Sequence, residues 1–272
     1  LAQGDGDHSH FLQCGRSRFP MALGTLHFAD GLAYKANKAL IAAKFNGLRI
    51  ETRIFDLAKD GNDPAFLAKN PTGKVPFLET DRGCVFTSNA VARYVSRCRA
   101  DTDLYGRSFD DEGQIDTWLE FSTHELEVPL MTWIYPVMGL MEDTPVATDM
   151  AKGDVRKAFA VLEERLKVST HLAGDFVSLA DIVVVCSLWE GFRRVFDPVF
   201  RKPFPKTCAW FETCCALPQF RSVFGELTLC TAVAKAQPVK QSASLTGAPA
   251  QKKAAAPKKN PAGSAAAPPP VT

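Results

Sequence analysis

Residues 66–97 read FLAKNPTGKVPFLETDRGCVFTSNAVARYVSR, and this stretch decides the fold. Val75-Pro76-Phe77-Leu78 and Cys84-Val85-Phe86 are short apolar runs separated by Asp81-Arg82-Gly83, which predicts two strands joined by a tight turn. Residues 88–97 then carry apolar positions at helical spacing, with Ser88 at or beside the helix N-cap. Val75-Pro76 sits where a loop enters a strand. A cis peptide there turns the Val75 N–H and C=O outward, ready to pair with an extended peptide as an added strand would. Thr87-Ser88 begins 12 residues further on, at a helix start whose free N–H groups and dipole favour a carboxylate. A ligand with a peptide-like middle and a carboxylate end, such as glutathione, fits the two together. Each feature alone is ordinary, since Val-Pro opens many strands and Ser many helices. Their pairing across a β-turn-β unit is what points to a ligand.

Upstream of this unit, residues 22–28 (ALGTLHF) read as a strand and 34–45 (YKANKALIAAKF) as an amphipathic helix closed by Asn46-Gly47. Residues 48–55 (LRIETRIF) alternate apolar and polar, the mark of a half-buried strand. The order β-α-β-loop-β-β-α predicts a small α/β layer of the thioredoxin type over residues 21–100. Downstream, residues 101–230 carry helical patterns only. Residues 114–141 read as one long helix or a kinked pair, interrupted at Pro129 and Pro136. Val155, Phe159, Leu162 and Leu166 share one helix face. Ser178-Leu179-Ala180-Asp181 has the layout of a capping box and opens the most apolar helix, 179–192. Two shorter helices follow at 206–216 and 218–227.

The ends differ in composition. Residues 231–272 hold six lysines, no acidic residue and no aromatic, and are rich in Ala and Pro, so this segment is expected to be a disordered linker. Its +6 conceals a charge of −4 on the rest of a chain whose total is +2. A mildly acidic remainder carries no nucleic-acid footprint, and the lysines read as a solvated linker. Residues 1–20 precede Met21, a better starting point, and read as a leader or tag outside the fold. A linker that stops at the last residue suggests a fragment of something longer. The eight cysteines include no C-x-x-C pair, which argues against a zinc site or disulfide scaffold and for reduced thiols in a cytoplasmic protein. No apolar run is long enough to span a membrane.

NPTGKVP followed by FTSNAVARYV resembles the glutathione transferase N-terminal domain, in the version found in the elongation factor 1-gamma family. FVSLADI (176–182) resembles the helix start of the transferase C-terminal domain. KALIAAKFNG (38–47), PFPKTCAWFETC (203–214) and LPQFRSVFGELTLC (217–230) resemble the elongation-factor branch. The likeness spans about residues 22–230. It implies a thioredoxin-like subdomain packed on an all-helical one. It also implies a scaffold that docks the nucleotide-exchange subunit of elongation factor 1, and through it the aminoacyl-tRNA-carrying GTPase, with room for a homodimer and no required cofactor. The alternative it carries is an active thiol transferase. Lys74, Val75, Pro76, Thr87 and Ser88 take the positions that would hold glutathione or a related thiol. Many transferases have Glu or Gln where Thr87 stands, which implies a weaker grip on the ligand's amino end.

Thiol activation needs a donor near the end of the first strand. In His27-Phe28-Ala29-Asp30-Gly31-Leu32-Ala33-Tyr34 there is no Ser or Cys. Tyr34 is the candidate catalytic hydroxyl, against a plain role in starting the helix. His27 is offered by position, but strand alternation turns it away. Arg193-Arg194 and Arg201-Lys202 read as a solvated basic face, and the tryptophans as core anchors.

Overall fold

The computed structural model describes residues 22–239. Four strands form one sheet: β1 (Thr25–Phe28), β2 (Glu51–Ile54), β3 (Phe77–Thr80) and β4 (Gly83–Phe86), in the order β2-β1-β3-β4. β1 runs parallel to β2 and antiparallel to β3, with Leu26 opposite Leu78; β3 meets β4 with Phe77 opposite Phe86. Helices α1 (Ala33–Phe45), α2 (Leu57–Asp60), α3 (Pro64–Lys69) and α4 (Ser88–Arg97) complete this layer, and α1 packs along α4. The buried face of α1 is rich in alanine (Ala36, Ala39, Ala42, Ala43), which lets both α4 and the helical layer approach closely.

The helical layer holds α5 (Phe109–Phe121), α6 (Val128–Met138), α7 (Pro145–Val168), α8 (Leu179–Arg194), α9 (Pro198–Arg201), α10 (Pro205–Ala216) and α11 (Pro218–Phe224). α8 is its spine: Leu179 through Trp189 are all buried, and the helix packs against α1, α4, α5 and α6. The capping box at its start is complete. The Asp181 carboxylate accepts from the Ser178 N–H at 2.9 Å, the Leu172 N–H at 3.1 Å and the Trp210 indole at 2.9 Å. Val155, Phe159, Leu162 and Leu166 face the core together.

Three expectations are corrected. Residues 48–55 are half-buried only where they flank the strand, at Leu48, Ile50 and Phe55. β2 is exposed throughout, with Ile54 66% exposed, because it is an edge strand and the covering helices lie over β1, β3 and β4. Residues 114–141 do not break at a proline. A π-helical turn (Ser122–Glu127) joins α5 to α6 without a break, Pro129 follows it as the second residue of α6, and Pro136 lies within α6. The assignment of all of 231–272 to a disordered linker fails for 231–239, which lie along the ends of two helices. The N–H groups of Cys230 and Ala234 donate to the carbonyls of Phe192 and Arg194, and that of Gln237 to Pro136. Composition weighs side chains alone; here the backbone answers carbonyls at the C-terminal ends of α8 and α6. The leader assigned to 1–20 and the linker beyond residue 239 lie outside the described residues.

Candidate functional site

Asn70 organises the loop that leads into β3. Fully buried, it donates from Nδ2 to the Lys74 carbonyl at 2.6 Å and accepts at Oδ1 from the Thr72 hydroxyl at 2.6 Å, while Gly73 takes a φ of 61°. The chain then passes through a cis Val75–Pro76 bond. Both residues are buried, Lys74 is exposed, and no described backbone group pairs with the N–H or C=O of Val75. Behind the turn, His27 stacks on Phe77 with ring centroids 4.4 Å apart. It therefore faces the small apolar cluster of Leu57, Phe66, Val75 and Phe77, on the side of the sheet away from Leu26 and the main core. Its Nε2 lies 2.8 Å from Glu79, which Lys69 reaches at 2.6 Å.

The second half of the site is the start of α4. Thr87 is exposed, with φ 68° and ψ 135°, a left-handed torsion that a β-branched residue adopts only under strain. Neither Thr87 nor another side chain caps the helix, so the first-turn N–H groups at Ser88, Asn89 and Ala90 point outward beside a half-exposed Ser88. Strain at an uncapped helix start marks a place where an anion can do the capping.

Asn89, one residue further, joins a buried network that the sequence reading missed. Lys38 on α1 is fully buried; its ammonium donates to Asn89 Oδ1 at 2.8 Å and pairs with Glu127 of the π turn. Glu127 also accepts from the Ser187 hydroxyl of α8 at 2.8 Å, and Asn89 donates to the Thr123 hydroxyl at 2.9 Å. Burial alone would raise the Glu127 carboxyl, but Lys38, Ser187 and Lys35 outweigh it and hold the group below the usual range. The network ties both layers together directly beneath Ser88. Its sequence signal was Lys38 standing among the alanines of the helix's buried face.

Tyr34 lines the open cleft between the layers together with Asp30, Asn37 and Glu190. Its hydroxyl lies 3.0 Å from that of Tyr135 across the layer boundary, and burial pushes both phenols up, Tyr34 well above its ordinary range. Around the pair, Leu130, Met131, Ile134 and Met138 form an apolar wall, with Glu127 and Glu190 at its polar end. Burial pushes the half-buried Cys208 thiol up to about 11 and the buried Cys215 thiol up to about 12, away from the thiolate form. Among the described residues no His, Cys, Asp and Glu cluster is arranged to hold a metal ion, and no helix is long and apolar enough to cross a membrane.

The family models for the glutathione S-transferase N-terminal and C-terminal domains match residues 27–97 and 127–218. The chain belongs to the glutathione S-transferase family. Within it, elongation factor 1-gamma of horse and of human is 40% identical over 221 residues, and that of zebrafish 38%. These alignments cover 79% of this chain and 49% of each relative, so the chain spans about half the length of the curated relatives it matches. Among solved structures, the GST-like domain of elongation factor 1-gamma from Saccharomyces cerevisiae superposes with a TM-score of 0.66 at 23% identity. It covers 81% of this chain and 100% of its own. A theta-class glutathione S-transferase from Xanthomonas axonopodis, solved with glutathione bound, gives 0.68 at 22% identity, covering 76% and 100%. The fold expected from residues 66–97 and 176–182, thioredoxin-like on all-helical, is the fold found.

Proposed function

We propose that this chain is the scaffold module of an elongation factor 1 complex in the cytoplasm, docking the nucleotide-exchange subunit that reloads the aminoacyl-tRNA-carrying GTPase. The observation that carries this reading is the 40% identity to elongation factor 1-gamma maintained over 221 residues. The groove between α6 and α7 suits assembly. Met150, 68% exposed, and Val128, 54% exposed, lie there beside Pro129 and Val161, and the groove offers apolar area to the exchange subunit or to a second copy. The test is capture of the exchange subunit by the full chain with conjugation assayed on the same sample. Stoichiometric capture with negligible turnover supports the scaffold; turnover without capture refutes it.

A second reading is favoured by the site itself. The unpaired Val75 backbone behind a cis proline and the uncapped, strained start of α4 form a seat for glutathione or a related thiol, with Lys74, Val75, Pro76, Thr87 and Ser88 as its contacts and no further cofactor. Tyr34 remains the hydroxyl proposed to meet the thiol, which requires its bond to Tyr135 to open. Ser88→Ala should leave stability within about 0.5 kcal/mol. It should weaken glutathione binding about tenfold, as expected for a lost hydrogen bond to a charged group. Unchanged affinity would remove Ser88 from the site.

A further inference from the structure

Residues 49–55 read RIETRIF, and their chemistry is mirrored about Thr52. Outward from it, Glu51 answers Arg53, Ile50 answers Ile54 and Arg49 answers Phe55. This stretch is β2 with its flanks, and β2 is an edge: it pairs with β1, and among the described residues no strand lies on its outer side. The odd-numbered residues make the bonds to β1. Glu51 and Phe55 donate to the carbonyls of Gly24 and Phe28, and the Arg49 carbonyl accepts from Leu23. By alternation the N–H and C=O groups of Ile50, Thr52 and Ile54 turn outward, without a strand to meet them. Side chains alternate as well. Arg49 and Glu51, which meet at 3.3 Å, share one face with Arg53 and Phe55, while Ile50, Thr52 and Ile54 share the other. Ile50 packs against the main core, but Ile54 is 66% exposed.

We propose that β2 is a homotypic docking edge: a second copy of this chain pairs with it, antiparallel about a two-fold axis at Thr52, and joins two four-stranded sheets into one. In that register the Thr52 backbones exchange both their hydrogen bonds, and Ile50 of each copy does the same with Ile54 of the other. Each exposed Ile54 is then covered by an Ile50. On the opposite face each Glu51 stands against an Arg53, and each Arg49 against a Phe55 ring. Other registers fail. An axis at Glu51 or at Arg53 sets that residue against its own copy, like charge on like. An axis at Ile50 or Ile54 carries the pairing off the strand, into the turn at Gly47 or into α2. Edge charges ordinarily guard a strand against pairing. Here they admit one register with one partner, the same strand from another copy. The inference is independent of both readings above, since the start of α4 follows β4 at the far edge of the sheet. It gives the second copy its own surface and leaves the groove between α6 and α7 to the exchange subunit.

Strands of this length make a small interface, so the dimer should be weak, with a Kd on the order of 10–100 µM. The test is sedimentation equilibrium of the full chain up to about 500 µM, a range set by that Kd. Arg53→Glu turns both ion pairs into like-charge pairs and should weaken the dimer at least about tenfold, with the melting temperature kept. Glu51→Arg combined with Arg53→Glu exchanges the charges and should bring the Kd back to within about threefold of wild type. Thr52→Pro, which removes an outward N–H and spares the bonds to β1, should weaken association as Arg53→Glu does. A chain monomeric throughout the range overturns the proposal. So does a loss that the charge exchange fails to recover, which would refute the register. A dimer unmoved by Arg53→Glu but dispersed by Met150→Lys overturns it too, by placing the second copy in the groove between α6 and α7.

Discussion

Two helix starts in this molecule are built in opposite ways. At α8 the Ser178–Asp181 box is sealed: both residues are fully buried, and the Asp181 carboxylate accepts from two backbone N–H groups, a hydroxyl and an indole. At α4 Thr87 sits at a strained torsion, offers no cap and leaves the first turn open. Identical backbone chemistry is thus satisfied by a side chain at one end and left open at the other, where the proposed ligand would complete it. The difference is set by whether a side chain reaches the free N–H groups.

The strongest way to break this contrast is Asp181→Ala. Removing a buried carboxylate leaves its donors unsatisfied, and stability measured by denaturant unfolding should fall by about 3–5 kcal/mol. A loss below about 1 kcal/mol would mean that the sealed end is not a keystone of the helical layer. Next comes the charge beneath the open end. Glu127→Ala leaves the Lys38 charge buried with only the Asn89 amide oxygen beside it, which should cost about 3 kcal/mol. Replacing both, as Lys38→Met with Glu127→Leu, should restore most of that, because two apolar chains escape the desolvation that an ion pair must overcome. A double variant as unstable as the single one would show that the pair contributes more than it costs to bury.

Smaller effects sharpen the contrast by sign. Thr87→Gly should raise stability by up to about 1 kcal/mol, since glycine adopts the torsion without strain. Ser178→Ala should lower it by about 1 kcal/mol through loss of the cap. Matching signs in thermal melts would refute the division of labour.

The smallest expected effect concerns the wall behind Val75. Burial holds the His27 imidazole below its ordinary range although Glu79 pulls the other way, so the folded state binds this proton less readily than the unfolded chain. The contribution is present above about pH 6.5, the ordinary histidine value, and is lost as pH falls towards the lowered one. Glu79, held below the carboxylate range chiefly by Lys69, acts in a more acidic window. His27→Phe should flatten the melting profile just below about pH 6.5. An unchanged slope would assign it to other groups.

Much of this was legible in residues 66–97. Val75-Pro76 and Thr87-Ser88 announced themselves because each local rule, strand entry and helix start, is written in adjacent residues. The capping box was legible for the same reason. What escaped the reading depends on distant partners. Lys38 reads as one polar residue of an amphipathic helix until Glu127, 89 positions away, is brought against it. Asn70 reads as a loop residue until its side chain is seen to hold the Lys74 carbonyl. Residues 231–239 read as linker because composition does not register the carbonyls of Phe192, Arg194 and Pro136.

The π turn between α5 and α6 makes the buried charge a matter of chain length. A π turn holds about one residue more than the α-helical turn it replaces. In-frame loss of a single codon within residues 122–127 would therefore let the segment rewind as ordinary α-helix while α5 and α6 keep their phase. The wall of Leu130, Met131 and Ile134 would stay in place, and only side chains of the turn itself, Thr123 and Glu127 of the buried network among them, would be re-aimed. Lineages carrying this domain therefore have a route to removing the buried charge that no point substitution offers: deleting one residue, with the helices on either side left as they are.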